Sequence, residues 1–308
     1  MWTVIAWLAT YVLTFQTGIT GPAIKTPNTI VNIEQTGSND YWGMMSTFSV
    51  LEILKARVYD LETMLKRVTE MENATGKQAS ILYIMDLNGL KYDKRLLYIL
   101  SGSLGAISSF MAEHYVEMIY RFVVVNVPSF LATLWGIIKP ALPERTRNKI
   151  QILGSNWKEE ILQLAVPDVL PSYWNEGAHN IFKANIERAL NVNIEKYYKQ
   201  EIRKEAKILN VSAGKIANTI IKVEKGSILQ WWIITDGNFG FSLFHLNDAN
   251  SDTEKSVYPT FKKIPGPMLV PIEDKILCEE DGYYKFEFNN EHAWIHTLKV
   301  NYIIIAKP

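Results

Sequence analysis

Few side chains in this sequence stand in patterns that could do chemistry. His292 and His296 lie four residues apart, a spacing that turns two imidazoles toward one metal on a helix. The residues around them read as strand or turn, which argues against a metal pair. Asp86 lies near the end of the apolar run Ile81-Leu-Tyr-Ile-Met-Asp-Leu87, just before Asn88-Gly89. A carboxylate there could serve as an acid or base at a sheet edge, or could bond its own turn, as Asx side chains do. Cys278 is the single cysteine, so neither an intrachain disulfide nor a cysteine zinc site can form, and a reducing compartment is the simplest setting. The chain has no Gly-x-x-x-x-Gly-Lys phosphate loop and no Gly-x-Ser-x-Gly elbow. No nucleophile, base and oxyanion donor come together in the pattern. The chain reads as a non-enzyme without metal or cofactor.

Composition narrows the classes further. Basic and acidic side chains balance at 32 each over 308 residues, and the formal net charge is zero. Nucleic-acid affinity rests on surplus Lys and Arg, so that partner class is set aside. At 48% hydrophobic the chain has material for real cores, which a disordered chain lacks. Beyond the first residues, the longest uncharged runs, 96–112 and 122–138, are 17 residues each and are broken by Gly, Ser, Asn or Pro, short of the roughly 20 apolar residues of a membrane helix. The segment Met1 to Ile24 is uncharged, and its first fifteen residues are nearly all apolar. It lacks the basic start of a signal peptide and is short for a span. A signal, an anchor, a buried element and a misassigned start all remain open for it.

The elements that must position any site follow from periodicity. Thr29–Glu34 reads as a strand, and Thr47 to Met71 as a helix with Val50, Leu51, Leu54, Val58, Leu61, Leu65 and Val68 on its apolar stripe. Ile81–Leu87 suits a buried strand, Leu96 to Tyr120 a helical stretch, and Phe122–Val127 a strand stopped at Pro128. Strand-helix-strand at this spacing implies a largely parallel or mixed sheet with packed helices. After Pro128, Ser129 to Lys139 predicts a helix with no polar face. Such a helix is covered on every side or borders something apolar. It is a core helix, or one that closes a cavity holding a greasy ligand. Glu187 to Lys207 is rich in charge and reads as an exposed helix or linker. Period-two alternation then takes over at Ile216–Val223, Ser227–Thr235, Phe239–Leu246, Tyr283–Asn289 and Lys299–Ala306. That predicts a separate all-β sandwich.

Four stretches in order resemble the core motifs of the CRAL-TRIO lipid-binding domain: Ile84-Met-Asp-Leu-Asn-Gly89, Phe122-Val-Val-Val-Asn-Val-Pro128, Ile138-Lys-Pro-Ala-Leu142 and Lys149-Ile-Gln-Ile-Leu-Gly-Ser-Asn-Trp157. The later part resembles the GOLD domain at Gly226-Ser-Ile-Leu-Gln-Trp231, Thr235-Asp-Gly237, Phe239-Gly-Phe241 and Gly282-Tyr-Tyr-Lys-Phe-Glu-Phe-Asn-Asn290. The pairing is similar to that of the tocopherol-associated and supernatant protein factor family. The resemblance implies an α/β lipid-binding domain, a mixed and largely parallel sheet with helices, followed by a GOLD-like all-β sandwich. It divides the chain into an apolar segment 1–21, a CRAL-TRIO domain 22–178, a charged linker or helix 179–205 and a GOLD domain 206–308. Three departures stand out. Segment 1–21 occupies the place of the family's N-terminal helical bundle. Ala79 stands where phosphatidylinositol binders carry a glutamate, although Lys139 matches their lysine. Trp174-Asn-Glu-Gly177 replaces the usual closing Gly-Gly.

The resemblance also implies a function: binding of a phospholipid or isoprenoid-like lipid in an apolar cavity under the sheet, and its transfer or presentation between membranes. A mobile gate helix would close the cavity mouth. Tyr83, Met85, Phe130, Leu131, Leu134, Trp135 and Ile138 are the candidate cavity and gate residues, and Lys139 is the headgroup candidate. The expected partners are the lipid itself, a transient membrane surface and a protein bound through the GOLD domain. The expected setting is the cytoplasm with transient membrane or Golgi association. A competing reading makes the chain an adaptor acting through the GOLD domain, with a vestigial lipid domain.

Overall fold

The computed structural model describes residues 17–92, 95, 102, 105, 110–111, 114–131, 135, 139, 144–177, 179–199, 201–249, 251 and 253–308. These divide into two units. The described residues within 1–44, 54–99 and 107–193 form the first, and those within 45–53, 100–106 and 194–308 the second.

The first unit holds a five-stranded sheet in sequence order. Strands β1 (Thr17–Pro22) and β2 (Thr29–Glu34) pair antiparallel. From β2 onward, β3 (Ser80–Asp86), β4 (Ile119–Val125) and β5 (Ile150–Ile152) are parallel neighbours. This is the mixed, largely parallel sheet expected from the sequence. β1 opens at Thr17 and so takes in residues counted with the apolar segment 1–21.

Helices α1 (Tyr41–Thr47) and α2 (Val50–Thr75) connect β2 to β3, and α3 (Glu144–Lys149) and α4 (Trp157–Leu164) flank β5. α2 starts at a capping box. Ser49 N–H donates to Glu52 Oε2 at 2.8 Å, and Glu52 N–H donates back to Ser49 Oγ at 3.3 Å.

Alternate side chains of a strand point to opposite faces, so the sheet has two cores. Val31, Ile33, Leu82, Ile84, Val123 and Val125 pack on Trp157 and Ile161 of α4 and on Trp174 and Phe182. Ile30, Ile81, Tyr83 and Ile119 pack on Leu61, Met64 and Val68 of α2. Burial on both faces is why β3 reads as one apolar run. The β2 and β3 ends meet closely at Gly37, where a Cβ would lie 2.3 Å from the Leu87 carbonyl carbon, so only glycine fits.

The charged segment after residue 178 is not helical as one of its readings had it. Among its described residues there is no α-helix, and a 3-10 turn stands at Ile194–Lys196. Its first part is pinned to the first unit: Phe182 is buried, Gln35 Nε2 donates to Glu187 O at 2.6 Å, and Val192 N–H donates to Asp40 Oδ2 at 3.0 Å. Backbone bonds to a folded neighbour outweigh its weak helical pattern.

The strands of the second unit all lie within residues 207–307 and pair antiparallel. One sheet runs β10 (Lys255–Ser256), β9 (Phe239–Leu246), β13 (Gly282–Asn289) and β7 (Ile216–Val223), with β11 (Phe261–Ile264) also on β9. The other runs β12 (Ile272–Leu277), β8 (Ile228–Thr235), β14 (Leu298–Lys307) and β6 (Lys207–Val211). Strict alternation along β13 buries Tyr284, Phe286 and Phe288, and these join Trp231, Phe239 and Phe241 in an aromatic core.

Candidate functional site

The face of the first sheet that meets α2 changes character from one edge to the other. Register aligns Tyr83 with Phe122 and Ile150, and Met85 with Val124 and Ile152, all on this face. Under α2 the face is closed: Ile81 and Tyr83 are fully buried. Toward β5 it opens. Met85, Phe122, Val124 and Ile150 are only half-buried, and Ile152 is 37% exposed. Five large apolar side chains thus form a strip that the sheet presents without burying.

Beside this strip lies an open cavity of about 770 Å³, lined by Trp135, Lys139, Arg147, Asn148, Ile150 and Ile152. Ile150 and Ile152 are its aliphatic lining residues, and Lys139 and Arg147 supply two cations. Lys149, on the same short helix as Arg147, donates to Ile119 O at 2.6 Å. Burial and then the charge of Arg145 lower the Lys149 ammonium's pKa.

Further along the face, between β2, β3 and α2, lies a buried ionic cluster. Arg57 of α2 meets Glu34 of β2 at 3.3 Å and Asp60 at 3.8 Å, and its Nη2 donates to Tyr83 Oη at 2.5 Å. The Tyr83 hydroxyl also donates to Glu34, and Tyr41 donates to Glu34 Oε1 at 3.3 Å. Arg57 Nε points at Met111 Sδ, 3.4 Å away. Burial holds both phenols well above the ordinary tyrosine value, with Glu34 adding to the effect. A buried charge pair costs desolvation and persists only when each partner is matched, as here.

The sequence-derived candidates fall in several places. Trp135 and Lys139 line the open cavity, and Met85 lies on the half-buried strip of the same sheet. Tyr83 shares that face, but its ring is enclosed and its hydroxyl is held by the ionic cluster. Phe130 and Leu131 open a helical turn, with Leu131 N–H bonded to Pro128 O at 3.0 Å, and Phe130 meets the Tyr92 ring edge-on at 5.9 Å. Leu134 and Ile138 lie outside the described residues. Ala79 is buried, its N–H bonded to Glu72 Oε1 at 3.0 Å.

Asp86 proves to be a strut. It accepts from Asn88 N–H at 2.9 Å, from Asn126 Nδ2 at 2.8 Å and from the Trp174 indole at 2.8 Å. The two histidines face different partners: His292 Nε2 donates to Lys262 O at 2.9 Å, and His296 Nε2 meets Asp236 Oδ1 at 3.1 Å. Among the described residues, no cluster of His, Cys, Asp or Glu could hold a metal, and no helix is long and apolar enough to cross a membrane. Sequence reasoning missed Glu34, Arg57 and Arg147. Arg57 carried a readable signal, because it stands four residues before Leu61 on the stripe that Met64 and Val68 continue.

These features define an α/β unit with a mixed, largely parallel sheet and a set of antiparallel β-sheets after it, and both parts have counterparts among known proteins. Residues 28–177 match the CRAL/TRIO domain, and residues 193–307 match the F28H7.8-like C-terminal domain. The chain is 29% identical to the CRAL-TRIO domain-containing protein F28H7.8 of Caenorhabditis elegans, over 94% of this chain and 72% of that one. It is 30% identical to the Sec14 cytosolic factor of Schizosaccharomyces pombe, over 46% of this chain and 50% of that protein. It is 27% identical to the phosphatidylinositol/phosphatidylcholine transfer protein SFH11 of Arabidopsis thaliana, over 46% of this chain and 38% of that protein. Residues 28–177 are thus similar to the CRAL/TRIO domain, and that stretch has Sec14-type relatives. The chain spans half or less of the length of the two Sec14-type proteins.

Proposed function

We propose that this chain is a non-enzymatic lipid carrier that takes up a hydrophobic ligand in its first unit and transfers or presents it at membranes. One observation carries the reading: the strip Met85, Phe122, Val124, Ile150 and Ile152 stays half-buried or exposed beside a sheet face that is closed at Ile81 and Tyr83. A folded protein normally covers such a face. An adjacent open cavity of about 770 Å³, lined by Trp135, Ile150 and Ile152 beside Lys139, Arg147 and Asn148, has room for an amphipathic ligand.

The energetics favour a sealed carrier. A two-tailed lipid in water exposes about 30 methylenes at ~0.8 kcal/mol each, a penalty of order 25 kcal/mol. The carrier must replace that burial in solution and release it at a bilayer. The apolar segment 129–138 is the proposed gate, since a helix without a polar face is at home against either cavity or bilayer. Lys139 and Arg147 are the proposed partners of an anionic headgroup. Ala79, where inositol binders carry glutamate, favours a phosphate or small polar group over inositol itself. The second unit is proposed as a GOLD-like module, and the carrier as cytoplasmic with transient membrane contact.

The test is transfer of fluorescent phosphatidylcholine between vesicles. Leu134→Asp combined with Ile138→Asp is expected to abolish transfer while circular dichroism stays unchanged, because charge on the membrane-facing side opposes opening onto lipid. Undiminished transfer in that variant would refute the gate.

A further inference from the structure

Trp294 and Ile295, in the loop between β13 and β14, are 96% and 92% exposed. Single exposed hydrophobic residues are ordinary on protein surfaces. Two adjacent large ones at nearly full exposure are less ordinary, above all on a loop that is held in place. Asn290 is buried at the loop's root, where its Nδ2 donates to Val211 O and His296 O, both at 2.9 Å. Its backbone N–H donates to Lys215 O at 2.9 Å, and Ala293 N–H returns to Asn290 O at 3.1 Å. On the flanks, His292 is bonded to Lys262 O and His296 to Asp236. The root and both shoulders are fixed while the tip projects its two apolar side chains into solvent. Such a tip has little conformational entropy left to lose on docking.

Charge around the tip selects the surface it fits. The segments that hold the loop expose Lys215, Lys262, Lys263 and Lys299 against the two acids Asp236 and Glu291. Both acids are engaged within the protein, Asp236 by His296 and the Lys299 N–H, and Glu291 by Asn289. The four exposed lysines outnumber the two acids, so the surroundings of the tip are net basic. Indole prefers the headgroup level of a bilayer, an aliphatic neighbour can enter the acyl boundary, and basic residues near the surface draw it to anionic lipid.

We propose that the loop of residues 290–297 is an insertion tip that docks the second unit on an anionic bilayer. The inference goes beyond the lipid-carrier reading and does not depend on the cavity of the first unit.

The test is co-sedimentation of the full chain with phosphatidylcholine vesicles, with and without phosphatidylserine, at rising salt. The wild type is expected to bind the mixed vesicles in a salt-sensitive way. Trp294→Ser with Ile295→Ser should weaken that binding about tenfold or more, by removing the inserted apolar area. Lys262→Ala with Lys263→Ala should weaken it and flatten the salt dependence. Both tip residues are exposed, so thermal unfolding of the tip variant should match the wild type and separate lost docking from lost folding. Wild-type binding retained by the tip variant would overturn the proposal. So would a wild type that stays in the supernatant with both vesicles, which would assign the tip to a protein partner. A chain that binds vesicles but carries no lipid would support this proposal while defeating the carrier reading.

Discussion

Arg57 reaches from α2 to the face of the sheet beneath it, where its guanidinium joins Glu34, Asp60 and the Tyr83 hydroxyl. Arginine suits this place because its planar fork can serve several acceptors at once. The cluster fixes α2 over β2 and β3 by directional bonds, where apolar packing alone would allow slippage. Its size can be measured. Arg57→Met should destabilise the protein by about 3–5 kcal/mol in urea unfolding, since Glu34 is left buried without its cation. Adding Glu34→Leu to that variant should recover part of the loss, because both charges are then gone. A single variant within ~0.5 kcal/mol of the wild type would show that water reaches the pair. Arg57 also shows how a sequence hides its polar anchors. It occupies a stripe position that hydrophobic periodicity treats as a defect, and its partner lies on another element.

At the scale of elements, what the sequence makes legible follows from burial. β3, buried on both faces, reads as a run, and β13 reads as an alternation of buried and half-buried residues. β7 and β9 begin and end where alternation starts and stops. The strands that were missed are short or at edges. β1 is built on Gly-Ile-Thr-Gly-Pro, β6 exposes Lys207, Ile208 and Asn210, and β12 exposes Glu273, Lys275 and Leu277, so pairing and not composition makes them strands. The stripe of α2 was rotated by part of a turn: Leu65, assigned to the apolar side, is 38% exposed, while Met64 beside it is buried. Of the candidate site, Trp135, Lys139 and Met85 were readable from motif order. The strip they accompany was not, because half-burial arises only when β4 and β5 are placed side by side. That strip invites its own test. Ile152→Asp should change stability by no more than ~0.5 kcal/mol, the residue being more than a third exposed. Co-purified lipid should fall several-fold, since a carboxylate cannot leave water for a tail without a large penalty. Unchanged lipid content would move the ligand elsewhere in the unit.

For the whole molecule, the balance of charge and the two units fit a carrier that visits surfaces without residing on them. A formal net charge of zero offers no long-range pull toward any polyanion, so membrane contact must come from local patches. The cation pair lining the first unit's cavity and the lysine-ringed tip of the second are two such patches, each described within its own unit. All of this presupposes that the first unit holds a lipid at all. Native mass spectrometry of the purified full chain, followed by lipid extraction, tests that most directly. The carrier account predicts one lipid molecule per folded chain, displaced stoichiometrically when excess vesicles are added. A folded chain of protein mass alone, empty after exposure to vesicles, would contradict it and leave the molecule an adaptor built on an unused lipid fold.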